Sequence, residues 1–273
     1  MGPTGLRQWV GSWVRLAWRT LAVGLLVYGG LAYLLLPAWW SHYEYHPGLE
    51  TAPKTAFTRE GIPADPLNVA LVGTEAEVVR AMLAAGWSPA DPTTFRTGLR
   101  IAASVLLGRA YPTAPVSDLY LWSHKQDLAF EQLAGTTARR RHHVRFWRSR
   151  KLDVAGRHLW LGAATFDSSV GLSHLTGKVT HHIAPDVDAE RDKLFADLGR
   201  AGQLVQWFQV TGVGPSFSAR NGGGDRYYTD GELFVGLIPA NNVAQSAPPR
   251  KLPNPAVIDL KDKTWSWLKP LLR

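Results

Sequence analysis

The sequence predicts an α+β fold, a largely antiparallel sheet with segregated helices, preceded by one transmembrane helix. Three observations lead there. No Lys, Arg, Asp or Glu occurs between Arg19 and Glu44, and a bilayer core needs about 20 such residues. From Leu119 onward β-patterned segments follow one another: LYLW, QDLAFEQL, HHVRFW, HLWLGAATF and KVTHHI. The helical patterns lie outside that run, and grouped strands with separate helices argue α+β rather than alternating α/β.

Residues 1–20 form a basic N-terminal segment with Arg7, Arg15 and Arg19. Residues 20–43 form the span, centred on LAVGLLVYGGLAYLLLP. Trp18 on one side and Trp39, Trp40 and Tyr43 on the other suit the two membrane interfaces, where indole and phenol rings concentrate. A cleaved signal peptide would need a small-residue site after the apolar run, and Leu36-Pro37-Ala38-Trp39-Trp40 offers a poor one. The first Lys or Arg after the span is Lys54. The positive-inside rule then holds the N-terminus in the cytoplasm and places the main domain in the periplasm or outside the cell.

Residues 44–66 contain four prolines and read as a linker. The main domain runs over 67–239. Asn68–Val72 reads as a strand. Thr74 then caps a helix with acids at Glu75 and Glu77 and an apolar side of Val78, Met82 and Leu83, ending near Gly86. A second helix is expected over Thr97–Leu107 and a third over Asp186–Leu198, with Val187, Leu194 and Leu198 on one side. LVQWFQV and YYTDGELFVGLI supply two more strands. Residues 240–273 read as a proline-rich linker and a short amphipathic tail.

Composition narrows the chemistry. The chain has 273 residues and no cysteine, which removes disulfides, thiolate metal sites, iron–sulfur clusters and a cysteine nucleophile. It carries 30 Lys+Arg against 22 Asp+Glu, a net charge of +8. Five of its twelve tryptophans lie in the first 40 residues, with the span.

Histidines stand in two adjacent pairs, His142-His143 and His181-His182, each inside an expected strand. Side chains alternate along a strand, so one member of each pair faces each side. His142 goes with Val144 and Phe146, and His143 with Arg145 and Trp147. If the two strands are neighbours, histidines from both pairs meet. His143, His182 and Asp167 are then candidate ligands for a divalent metal. Without metal, the same four histidines are candidate general acids and bases. No H-E-x-x-H motif and no G-x-S-x-G elbow is present.

Two further segments carry charge. Residues 139–151, RRRHHVRFWRSRK, hold seven Lys or Arg. Arg139, Arg140, Arg141 and Arg145 are candidate anion-binding residues. The expected topology favours an anionic lipid headgroup or phosphorylated ligand over nucleic acid. The plain reading is a solvated hairpin. Gly222, Gly223 and Gly224 allow a nest for an anion, with Asp225 and Arg226 as candidate catalytic neighbours. The plain reading here is a polar turn into the last strand.

Six segments resemble the LssY C-terminal domain family: PLNVALVGTEAEVVRAMLAAGW, YPTAPVSDLYLW, RRRHHVRFW, LWLGAATFD, TGKVTHHIAPDVDAERD and NGGGDRYYTDGE. The resemblance covers roughly Leu67–Pro239, so this chain resembles a stand-alone, anchored version. The family takes its name from a component assigned to type I secretion. Related domains are attached to membrane proteins similar to the DedA and phosphatidic-acid-phosphatase families. The resemblance therefore implies a role in the cell envelope and carries over no catalytic residue. One departure is visible: the family pattern has Trp-Gly before a basic residue, where this chain has Trp122-Ser123-His124-Lys125. Two functions follow as expectations. One is an accessory or binding domain at the envelope, acting on anionic lipid or a membrane protein partner. The other is a metal-dependent or histidine-based hydrolase of a phosphorylated or lipid-linked substrate.

Overall fold

The computed structural model describes residues 3–46, 49, 52–90, 117–135, 140–153, 155–174, 177, 179–215, 217–240 and 243–272. The helix expected over Thr97–Leu107 lies outside the described residues. The chain divides into two units, Met1–Tyr45 and His46–Arg273.

The first unit is helical. Helix α1 (Pro3–Gly30) runs through a π turn (Leu31–Leu35) into α2 (Leu36–Glu44). Pro37 explains the π turn, because it has no N–H to offer the carbonyl four residues back. The Leu36 N–H reaches five residues back instead, to the Leu31 carbonyl. From Trp13 to Glu44 the helix is long and apolar enough to cross a membrane, and it makes a candidate anchor. Its leucines and Trp13, Trp18 and Trp39 stand exposed, as a lipid-facing helix requires.

The second unit begins with strands β1 (Thr55–Phe57), β2 (Pro63–Pro66) and β3 (Val69–Gly73), then helix α3 (Glu75–Ala84) and β4 (Ser88–Pro89). Next come β5 (Tyr120–Leu121), β6 (His124–Lys125), β7 (Leu128–Leu133), β8 (Arg141–Leu152), β9 (His158–Leu172) and β10 (Val179–Ile183). Helix α4 (Val187–Arg200) precedes β11 (Gln206–Val210), β12 (Ser218–Arg220), β13 (Arg226–Tyr228) and β14 (Leu233–Leu237). The unit closes with β15 (Arg250–Lys251) and α5 (Ala256–Leu268).

The main sheet has the order β15-β11-β14-β3-β9-β8-β7-β4, with β10 also on β9. Only β14–β3 and β11–β15 pair in parallel among the described strands. Strand β9 is the spine, because β8 covers one edge while β3 and β10 share the other. Asn68 fills the step between them. Its amide donates to the Ala164 and Val187 carbonyls and accepts from the Ala164 N–H.

Three layers result. Helices α3 and α4 cover one face through Val78, Ala81, Met82, Leu194 and Leu198 on Val69, Leu71, Val144, Phe146 and Trp160. A small sheet of order β2-β1-β5-β6 covers the other through Ala56, Ala64, Leu119 and Leu121 on Trp147, Leu161 and Ala163. Helix α3 starts in the expected place. Thr74 and Glu77 form a reciprocal capping box. Leu83, expected on the apolar side, is exposed; the helix buries Ala81 in its stead.

Three readings change. Residues 44–66 are more than a linker, since β1 and β2 lie within them. Pro63 and Pro66 are accommodated because β2 is the edge of its sheet, where a missing N–H costs nothing. The segment YYTDGELFVGLI is two strands, β13 and β14, separated by a turn at Gly231 with φ 77°. The tail docks: Trp265 is buried and its indole donates to Asp188, while Lys261 pairs with Glu232 and Lys269 with Asp186 at 2.7 Å.

Candidate functional site

Strand alternation along β8 sorts its residues as expected. His142, Val144 and Phe146 face the helices. Arg141, His143, Arg145 and Trp147 face the small sheet. Burial on that second side forces the charges to find partners, since an unpaired buried ion costs several kcal/mol. The partners come from distant strands. Arg141 donates to Asp167 and Glu131, both at 2.8 Å. Arg145 donates to Asp65 at 2.8 Å and to the Ser117 carbonyl at 2.9 Å. His143 lies 2.7 Å from the Thr165 hydroxyl through Nε2 and 3.3 Å from Asp167 through Nδ1. His181 approaches the same Asp167 at 4.0 Å.

This network shifts its members' proton affinities. Burial pushes the Glu131 carboxyl up to about 8 against the pull of Arg141. Its Oε1 has no hydrogen-bond partner, which suits a carboxyl that holds its own proton. Burial works against charge on His143, but the Asp167 carboxylate outweighs it, and the ring titrates above the ordinary histidine range. Asp167 itself lies well below the ordinary carboxylate range: burial would raise it, but His143, Arg141 and His181 together overcome that.

On the opposite face, His142 Nδ1 lies 2.7 Å from buried Glu190, and its ring packs 4.8 Å from Phe166. The two members of this pair therefore serve different layers.

A cleft of about 890 Å³ opens at the other end of β8 and β9. Its apolar surface comes from Leu49, Ala52 and Trp122, with Leu161 buried behind them. Its rim carries Arg148, Arg150 and Lys151, with His124, His158 and Asp127 beside them. The three cations are exposed, while Ser149 between Arg148 and Arg150 is still buried. Trp122 and Ser123 form the two-residue turn between β5 and β6, with φ of 48° and 65°. Two positive φ values are what a tight hairpin turn of this length demands. They are costly for side-chain-bearing residues, and such strain concentrates at functional sites. The strained turn holds the Trp122 ring over the cleft, stacked on His124 at 6.3 Å.

A third cluster lies near the far end of β9. His182 on β10 contacts Asp225 through Nδ1 at 2.6 Å. His174, in the loop after β9, lies 3.6 Å from the same carboxylate oxygen. The two imidazoles are 5.1 Å apart. Asn221 organises the glycine turn: its side-chain oxygen accepts from the Gly223 and Asp225 N–H groups, and its carbonyl from Gly224.

The family model described as LssY C-terminus matches residues 49–233. The chain belongs to the LssY C-terminus family. No curated protein and no solved structure matches it. The family match begins at Leu49, so it takes in β1 and β2 and the wall of the cleft. Ser123 stands where φ is 65°, a conformation that glycine adopts most easily.

The LssY fold rearranges the residues singled out from sequence. His143 and Asp167 meet, but His182 turns away to Asp225, so His143, His182 and Asp167 do not form one ligand set. The reason is topological: β8 and β10 are not neighbours but flank β9, and a register shift falls between His182 and Ile183. Arg141 and Arg145 are not anion-binding, because Asp167, Glu131 and Asp65 already hold them in the buried layer. Arg140 lies over the Phe166 ring at 5.6 Å. Arg139 lies outside the described residues. The Gly223 and Gly224 N–H groups are spent on Asn221, so no anion nest remains at Gly222–Gly224. Arg226 is exposed at the start of β13, apart from the Asp225 contacts. Sequence reasoning missed Trp122, His124 and His174. The period-2 pattern of β8 did contain the signal for Arg148 and Arg150, which fall beyond the last buried aromatic.

Proposed function

We propose that this LssY domain is a membrane-tethered binding module for an anionic amphiphile, a lipid or lipid-linked molecule with a phosphate group. The observation that carries the reading is the cleft's division of labour. Arg148, Arg150 and Lys151 line it as exposed cations, and Leu49, Ala52 and Trp122 offer an apolar surface. A phosphate takes the first set through charge-assisted hydrogen bonds and an acyl chain takes the second. Both histidine pairs lie outside the cleft. That favours binding over the hydrolase reading. By the flanking charges Arg7, Arg15 and Arg19, the N-terminus stays in the cytoplasm and the domain faces the periplasm or the outside of the cell.

The test uses the full chain in detergent, with tryptophan fluorescence reporting titration by dihexanoyl phosphatidic acid and by dihexanoyl phosphatidylcholine. The expected result is tighter binding of the phosphatidic acid, lost at least tenfold in an Arg148→Gln/Arg150→Gln/Lys151→Gln variant and weakened by salt. Equal affinity for both lipids, or no effect of the triple variant, overturns the reading. For orientation, a reporter fused after Arg273 should be active only when exported; activity confined to the cytoplasm reverses the topology.

A further inference from the structure

We infer that His174, His182 and Asp225 form a divalent transition-metal site, of the kind zinc occupies. It is separate from the cleft and independent of the binding role proposed for it. Two imidazoles and one carboxylate from three different elements bring one donor atom each to within 4.8 Å of one another. This donor set suits zinc and other N/O-preferring divalent ions and leaves room for water as a further ligand. At metal–ligand distances of about 2.0–2.2 Å, tetrahedral donors lie roughly 3.3 Å apart. The present separations from Asp225 Oδ1, 2.6 Å to His182 and 3.6 Å to His174, bracket that value. A small outward movement of His182 and a small inward one of exposed His174 are sufficient.

The surroundings fix the carboxylate for this task. Asp225 is 8 % exposed. Its Oδ2 accepts from the Ile183 N–H at 3.1 Å and from the Asn221 amide at 3.4 Å, which leaves Oδ1 directed at the two histidines. Outer hydrogen bonds of this type orient ligands and sustain their affinity. The glycines also acquire a reason. A Cβ at Gly171 would stand 2.6 Å from His182 Nε2, so glycine there lets the ring lie down against β9. A Cβ at Gly222 would stand 2.8 Å from the Thr58 methyl, so glycine there lets the Asp225 turn seat against the β1–β2 connection. The loop carrying His174 is tied to the same turn, its N–H donating to the Gly223 carbonyl at 2.9 Å. When the metal takes Nδ1 of His182, the hydrogen shared with Asp225 moves to Nε2, and the imidazole stays neutral.

The experiment uses untagged full-length protein in detergent, zinc as the probe, and a chromogenic chelator as competitor. One equivalent of zinc per chain is expected, together with a rise in thermal midpoint on zinc addition. His174→Ala changes an exposed residue and leaves the fold intact, as circular dichroism will show; it should weaken zinc at least tenfold and abolish the thermal shift. Asp225→Asn should do the same. Gly171→Ala should weaken zinc without removing a donor. His143→Ala, if it folds, should leave zinc affinity unchanged. Absence of a saturable equivalent, or affinity indifferent to both His174→Ala and Asp225→Asn, overturns the site.

Discussion

Asp167→Asn tests the buried charge layer. The substitution preserves shape, so its cost is electrostatic rather than a cavity. Asp167 is 2 % exposed and faces Arg141 at 2.8 Å and His143 at 3.3 Å. Without its charge, Arg141 loses the carboxylate at its Nε, and the one at its Nη1, Glu131, tends to stay protonated at neutral pH. Removing one partner from a buried pair costs about 3–5 kcal/mol. For a unit of this size each kcal/mol lowers the thermal midpoint by about 2–4 °C, so the expected fall is about 6–20 °C. The assay is thermal unfolding by circular dichroism of the full chain in detergent at pH 7, repeated at pH 6 and pH 9. The pH series separates this mechanism from general damage. His143 has a raised proton affinity in the folded state, held up against burial by Asp167. Its contribution is complete below the unfolded value of about 6.5 and disappears as pH rises through the higher folded value. With Asp167 neutralised, burial and Arg145 lower that affinity and reverse the slope. The gap between wild type and variant should therefore narrow from pH 6 to pH 9. A midpoint fall below about 3 °C, or a gap that widens with pH, would refute the reasoning.

Other consequences can be measured in the same way. Glu131, pushed up to about 8, gives stability that is full below the unfolded value of 4.5 and is lost as pH rises through 8. Glu131→Gln should accordingly gain stability relative to wild type between pH 5 and pH 9, and a constant difference would contradict it. Ser123→Gly relieves a left-handed residue at φ 65° and should raise stability by about 1–2 kcal/mol, read as a higher thermal midpoint; an unchanged or lower midpoint counts against strain in the turn. Trp265→Ala removes a buried indole and its bond to Asp188, at a cost of about 3–5 kcal/mol. Hydrogen exchange should then show the 256–268 amides unprotected before the main sheet; simultaneous loss would show that the helix is not a separable unit.

What could be read in advance follows the range of the interactions. The N-cap at Thr74 and the alternation of β8 are local, and both appear in the structure as the sequence states them. The fate of Arg141 and Arg145 is not local. Their carboxylates come from β2, β7 and β9, up to 80 residues away, so a run of seven cations looks like an anion patch until its partners are placed. His174 is hidden for the same reason. Only the antiparallel return of β10 along β9 brings His182 beneath it, and only the Asn221 turn brings Asp225. Proline misled over 44–66 because its composition signals a loop unless the strand lies at an edge, and edge position is a property of the whole sheet.

Strand β9 spans His158, which lines the cleft, to Leu172, next to the loop that carries His174. At about 3.3 Å per residue the cleft and the imidazole cluster are separated by roughly 46 Å along the strand. A short-chain phospholipid seated at one end cannot touch the donors at the other. Sites that far apart, with no shared partner, contribute free energies that add. The strand thus works as a ruler, and the gain in melting temperature from phosphatidic acid and zinc together should equal the sum of the separate gains.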